Sequence, residues 1–153
     1  MTHKQLLLEN QLCFPVYTAS RLIIREYQPH LDKLGITYPQ YLALMILWER
    51  DRVPVKEITQ KLMLGTSTVT PLLKRMEAQG IITRERSRDD ERIVVVTLTT
   101  KGRDLQTQAA EIPYKLAENL TTEFMSIEQL TDLKDKLLLL IEHLSKKEKT
   151  GKA

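Results

Sequence analysis

The stretch from Thr66 to Leu98 constrains this chain more than any other, because a helical apolar pattern passes directly into two β-rich runs around a charged turn. In its first part, Thr66 to Gly80, the residues Val69, Leu72, Leu73 and Met76 recur at i, i+3, i+4 and i+7, the spacing that gathers them on one face of an amphipathic helix. Ser67, Thr68, Thr70, Pro71, Lys74 and Arg75 fall outside that stripe. The Ser/Thr cluster is expected to supply the N-cap, Pro71 to lie near the first turn, and Gly80 to follow the helix end.

The second part reads I-I-T-R-E-R-S, then R-D-D-E, then R-I-V-V-V-T-L, two strand-forming runs around a polar connection of about four residues, which is a hairpin signal. Arg84, Arg86, Arg88 and Arg92 crowd this ribbon, while Glu85, Asp89, Asp90 and Glu91 cancel them formally. Asp90 and Arg92 have the spacing for a carboxylate to hold a guanidinium in a set pose. A mixed-charge hairpin alone is ordinarily just a solvated turn. Preceded by a helix whose outer face carries short hydroxyls, a proline and two cations, it reads differently: the helix fits a major groove and the arginine tip a minor groove. That layout is a winged helix-turn-helix, so the expected fold is mainly α with a small β wing.

The remaining chain supplies helices on either side. Leu12, Val16, Ala19, Ile23 and Tyr27 step by three or four and predict a long helix over about Leu12 to Leu31, with Pro15 near its start. Cys13 then falls in or just before the first turn, where backbone N–H groups favour an anionic sulfur, and Tyr17 and Tyr27 share its face. A lone cysteine on an apolar helical face is ordinarily inert core, but phenol hydroxyls beside it are suited to hydrogen-bond a thiolate or a peroxide oxygen. Thr37-Tyr38-Pro39-Gln40 is a capping box that opens a second helix to about Arg50. Val53-Pro54 suits a third strand for the wing, and Val55, Ile58 and Leu62 mark a third helix that ends at Leu64-Gly65 and pairs with the Thr66 helix. A further helix from Thr99-Thr100 towards Leu120 should break near Pro113. A last helix opens on the capping box S-I-E-Q at Ser126 and carries a heptad-like leucine seam through Leu130, Leu133, Leu137, Leu140 and Leu144. So broad an apolar stripe calls for a second copy of the chain.

The expected organisation is therefore 1–36 and 100–147 as a helical dimerisation region, 37–99 as the DNA-binding domain, and 148–153 as a disordered tail. A two-fold dimer presents two recognition helices to a pseudo-palindromic double-stranded operator. A net charge of +3 is compatible with a polyanionic partner. One cysteine excludes an intramolecular disulfide, and histidines at 3, 30 and 143 have no ligand spacing, so neither metal nor cofactor is expected. No signal segment or membrane span is legible, which places the expected protein in the cytoplasm.

The runs L-E-N-Q-L-C-F-P-V-Y, L-G-I-T-Y-P-Q-Y-L-A-L-M-I-L-W-E and T-V-T-P-L-L-K-R-M-E, with D-E-R in the wing, resemble the MarR family of dimeric winged-helix regulators, and within it the one-cysteine organic-hydroperoxide-resistance repressors. The resemblance implies that Cys13 is the peroxide-reactive cysteine, that Tyr17 together with Tyr27 and Tyr38 of the other subunit hydrogen-bonds it, and that Arg92, supported by Asp90, enters the minor groove. It further implies a repressor, not an enzyme, that releases DNA after an organic hydroperoxide oxidises Cys13 and a low-molecular-weight thiol caps it. The competing readings are a MarR-type repressor released by a small phenolic ligand, with Cys13 incidental, and a thiol peroxidase, which would need a reductant and turnover.

Overall fold

The computed structural model describes residues 3–121 and 125–150. After two short 3-10 turns the elements are α1 (Cys13–Leu34), α2 (Tyr38–Glu49), β1 (Val53–Pro54), α3 (Val55–Leu62), α4 (Thr66–Ala78), β2 (Ile82–Arg86), β3 (Val94–Leu98), α5 (Thr100–Ala109), α6 (Ile112–Thr121) and α7 (Ile127–Thr150). They form two compact units, Met1–Ile112 and Pro113–Ala153.

Local chemistry accounts for most boundaries in the first unit. α1 starts at Cys13 with Pro15 as its third residue, where a missing N–H breaks no helical bond. It ends on Gly35, whose φ of 68° is left-handed and lets its N–H reach back to the carbonyl of Asp32. α2 opens as expected, with the Thr37 N–H donating to Gln40 Oε1 at 2.9 Å. The α3–α4 turn departs from expectation. Met63, not Gly65, takes the left-handed conformation that stops α3, and Gly65 is the N-cap of α4 without a side-chain capping bond, so the Ser/Thr cluster does not cap this helix. The cluster lies inside the first turn instead, with its hydroxyls left for other partners.

The core lies between α2, α3, α4 and the sheet. Leu44, Leu47, Ile58, Leu73, Met76, Ile81 and Val96 are fully buried, and each such side chain contributes about 1.5–3 kcal/mol relative to exposure. The sheet order is β1-β3-β2, antiparallel throughout, with Val53 opposite Val96 and Ile82 opposite Leu98. β1 does supply the third strand, but it is two residues long. Asp51 extends its edge: its carboxylate accepts the Leu98 N–H at 2.9 Å and the Arg103 guanidinium at 2.8 Å. α5 is capped by Thr99, whose Oγ1 accepts the Gly102 N–H at 3.1 Å.

The helical run that begins with α5 breaks at residues 110–111, at the end of the first unit and just before Pro113, and resumes as α6. α7 opens on the expected reciprocal box, Ser126 N–H to Gln129 Oε1 at 2.9 Å and Gln129 N–H to Ser126 Oγ at 3.2 Å. Leu133, Leu138, Leu139, Leu140, Ile141 and Leu144 are all exposed along it. The helix continues to Thr150, so the tail expected from 148 onward is helical over 148–150, and 151–153 lie outside the described residues. Among the described residues no helix is long and apolar enough to cross a membrane.

Candidate functional site

α4 separates its two faces as its spacing requires. Val69, Leu72, Leu73 and Met76 are buried, whereas Ser67, Thr68, Pro71, Lys74 and Arg75 are exposed and Thr70 is half-buried. Pro71 is the sixth residue of α4 rather than a first-turn residue, so it offers no N–H to the carbonyl of Ser67. The turn survives because its inner face is anchored by Val69 and Leu72. The consequence is an outer face with an extra free acceptor beside the hydroxyls and, a turn later, Lys74 and Arg75, which carry no ion pair among the described residues.

The wing is longer at its tip than expected: β2 and β3 are joined by residues 87–93 rather than by about four. The extension arises because the Asp90 carbonyl accepts the Ile93 N–H at 2.9 Å, folding a small turn inside the loop. Asp90 also orients Arg92. Its Oδ1 accepts the Arg92 backbone N–H at 3.0 Å and lies 3.4 Å from Nε, leaving the arginine side chain 94% exposed. Arg88 is exposed and unpaired among the described residues, but Arg86 donates to the Glu91 carbonyl at 3.1 Å and so braces the tip. Arg84 is consumed at the base, held by Glu77 of α4.

Cys13, the one cysteine, is exposed as the first residue of α1, and Tyr17 one turn on is exposed with the Arg21 guanidinium 5.6 Å from its ring centre. Tyr27 and Tyr38 stand together instead at the other end of the helix, ring centres 5.0 Å apart, with Tyr41 at 5.9 Å from Tyr27. Fourteen residues separate Cys13 from Tyr27, about 21 Å along an α-helix. A single chain therefore brings Tyr27 to Tyr38 but not to Cys13. Burial, and then the neighbouring phenols of Tyr38 and Tyr41, push the Tyr27 hydroxyl up to about 12, so at neutral pH it is a proton donor. Tyr38 and Tyr41 are raised as well, by burial first.

Three residues of this region escaped the sequence. Tyr41 had a visible signal, lying three residues after Tyr38 on the same helix. Glu77 and Gln79 had none, because their partners are Arg84 and Gln40, and only the fold brings those together. Beside Gln40 and Gln79 lies an open cavity of about 500 Å³, lined also by Asp32, Thr37 and Arg75.

The chain matches the family model of the transcriptional regulators SarA/Rot over residues 25–108. It is 49% identical over 140 residues to an organic hydroperoxide resistance transcriptional regulator of Bacillus subtilis, covering 92% of this chain and 93% of that one. It is 37% identical over 141 residues to the regulator MgrA of Staphylococcus aureus, covering 92% and 96%. Among solved structures, reduced AbfR bound to DNA superposes with a TM-score of 0.77 at 37% identity over 94% of this chain and 99% of that one. Overoxidized AbfR bound to DNA gives 0.71 at 35%, with 94% and 99% covered.

Proposed function

We propose, for a chain that belongs to the MarR family of dimeric winged-helix DNA-binding regulators and to its one-cysteine organic-hydroperoxide branch, that it is a repressor released from its operator by oxidation of Cys13. The observation that carries this reading is the placement of the sole cysteine, exposed in the first turn of α1 beside Tyr17 and remote from Tyr27 and Tyr38 of its own chain. A second copy brings Tyr27 and Tyr38 to it. Residues 1–36 and 100–147 form the dimer, consistent with the exposed Leu12, Phe14, Val16, Leu138 and Leu139, and 37–99 engage DNA.

In the reduced dimer the phenols of Tyr17, Tyr27 and Tyr38 donate to the Cys13 sulfur. The thiolate attacks the terminal oxygen of the hydroperoxide, the O–O bond breaks, and the departing alkoxide takes a proton from water to leave as the alcohol, giving sulfenic acid on a sulfur oxidised by two electrons. A low-molecular-weight thiol then condenses with it, water leaves, and a mixed disulfide remains. The related AbfR has been solved overoxidized and still on DNA, so the releasing form proposed here is the bulkier mixed disulfide. Its volume displaces the tyrosine hydroxyls, and the dimer repacks to a different spacing of α4 and its symmetry mate. On the DNA, Ser67, Thr68, Thr70, Pro71, Lys74 and Arg75 enter the major groove, Arg86 and Arg88 flank the backbone, and Arg92 held by Asp90 reaches the minor groove.

Fluorescence anisotropy on upstream DNA at fixed salt tests this, with cumene hydroperoxide and cysteine titrated against wild type and Cys13→Ser in parallel. Release of the wild type near one equivalent per subunit, with the variant retained, is the expected result. Release of both places the sensor elsewhere. Retention of both favours the ligand-gated reading, whose one structural support is the cavity beside Gln40 and Arg75.

A further inference from the structure

We propose that Gln79, at the C-terminal cap of α4, is the positioning residue through which the tyrosine end of the chain holds the recognition helix, with Gln40 as its link. The inference rests on the reading above, that oxidation at Cys13 disturbs the tyrosines.

Gln40 is the one buried polar side chain among the described residues, 2% exposed. A buried amide must find partners for both its ends, and here every direction is fixed. The Thr37 backbone N–H can only donate, so the Gln40 atom that meets it at 2.9 Å must be Oε1. Nε2 is left to donate, and at 2.9 Å it meets Gln79, which must present its own Oε1. The Gln79 Nε2 then donates to the carbonyl of Gly35 at 3.3 Å. The result is a directed loop from Thr37 to Gly35, both in the α1–α2 turn, that passes through Gln40 and then through Gln79, the cap of α4.

Both ends of this loop belong to the sensor side. Gln40 stands between Tyr38 and Tyr41 in the first turns of α2, and Gly35 terminates the helix that carries Cys13, Tyr17 and Tyr27. A displacement of Tyr38 that moves the first turn of α2 therefore moves the donor to Gln79. The other end is the lever. Gln79 closes α4 through its N–H to the Arg75 carbonyl at 3.0 Å, and the thirteen residues of α4 span about 20 Å, with Ser67 and Thr68 at the far end. The Gln79 carbonyl is held separately by Lys101 Nζ at 2.8 Å, a contact from α5 that does not involve the tyrosines. Side-chain and main-chain holds on the same residue can thus be removed one at a time.

Truncating Gln40 would empty a buried position and take the acceptor from the Thr37 N–H, which risks the fold, whereas Gln79 is exposed. The test compares wild type, Gln79→Ala and Lys101→Ala by anisotropy on upstream DNA, reduced and after cumene hydroperoxide with cysteine, taking the ratio of oxidised to reduced Kd together with the thermal midpoint. The expected result is that Gln79→Ala lowers the ratio by about fivefold or more at an unchanged midpoint, whereas Lys101→Ala keeps the wild-type ratio. A Gln79→Ala ratio equal to wild type overturns the inference, and so does an equal loss in both variants, which would make the cap a general support. A wild type that does not release on oxidation removes the reading beneath it instead.

Discussion

Arg84 grips Glu77 from two directions: its backbone N–H donates to Glu77 Oε1 at 3.1 Å, while Nε and Nη2 donate to Oε2 at 3.1 and 2.7 Å. One residue lies on the first wing strand and the other on the recognition helix, so the pair fixes the angle at which the wing leaves α4. The hydrogen bonds from Arg84 hold the Glu77 carboxyl below the usual carboxylate range. A depressed folded value means that the contribution is fully present above the ordinary carboxylate pKa and is lost only as pH falls through the folded one.

Glu77→Gln should therefore cost under about 1 kcal/mol of stability, as partly exposed pairs do, yet weaken operator binding at neutral pH. The slope of log affinity against log salt should stay at the wild-type value, because neither partner is offered to a phosphate. A slope reduced by about one would mean that Arg84 contacts the DNA backbone directly.

Charge and orientation make opposite forecasts at the wing tip. Arg92→Ala should lose about 1–3 kcal/mol of binding free energy. If Asp90 acts by holding Arg92, Asp90→Ala must also weaken binding, although it removes a negative charge from a site facing a polyanion. Tighter binding by Asp90→Ala would show that simple electrostatics governs the tip.

Gly102 has no room for a side chain. A Cβ there would collide with the Ile81 carbonyl and press within 3.0 Å of Leu98 Cδ2, and the Gly102 carbonyl also receives the Trp48 indole N–H at 2.9 Å. Gly102→Ala should cost about 1–3 kcal/mol, read as a lower urea midpoint, with the emission of the only tryptophan changed in the folded state. An unchanged midpoint would mean that α5 slides freely over the wing base.

Alkaline titration reads the tyrosine cluster. Tyr27 holds its proton to about 12 in the folded chain against an ordinary 10.0, so its contribution to stability is complete below pH 10 and is lost as pH rises towards 12. Tyr27→Phe should remove the last component of the phenolate absorbance titration and flatten the fall in thermal midpoint over that window. Superimposable titrations of the variant and the wild type above pH 10 would place the raised group elsewhere.

Much of this was legible along the chain. The stripe Val69, Leu72, Leu73 and Met76 turned inward as spaced, both capping boxes formed, and the Asp90–Arg92 pair was visible because its partners are two residues apart. The same locality explains the errors. A Ser/Thr cluster looks like a cap wherever it precedes a helix, but Met63 adopted the left-handed turn and pushed the cap to Gly65. Pro71 looked like a first-turn residue and proved to be in the second.

By itself, then, the sequence determined the helices, the wing, the outward face of α4 and the lone cysteine, because each is set by contacts within a few residues. Only the tertiary structure decided that Arg84 is spent on Glu77, that Gln40 reaches Gln79 across 39 positions, and that Tyr27 meets Tyr38 while Cys13 stands apart from both. The physical reason is that a hydrogen bond or a ring contact acts over a few ångströms of space, and which distant residues share that space is fixed by packing of the whole core rather than by any local pattern.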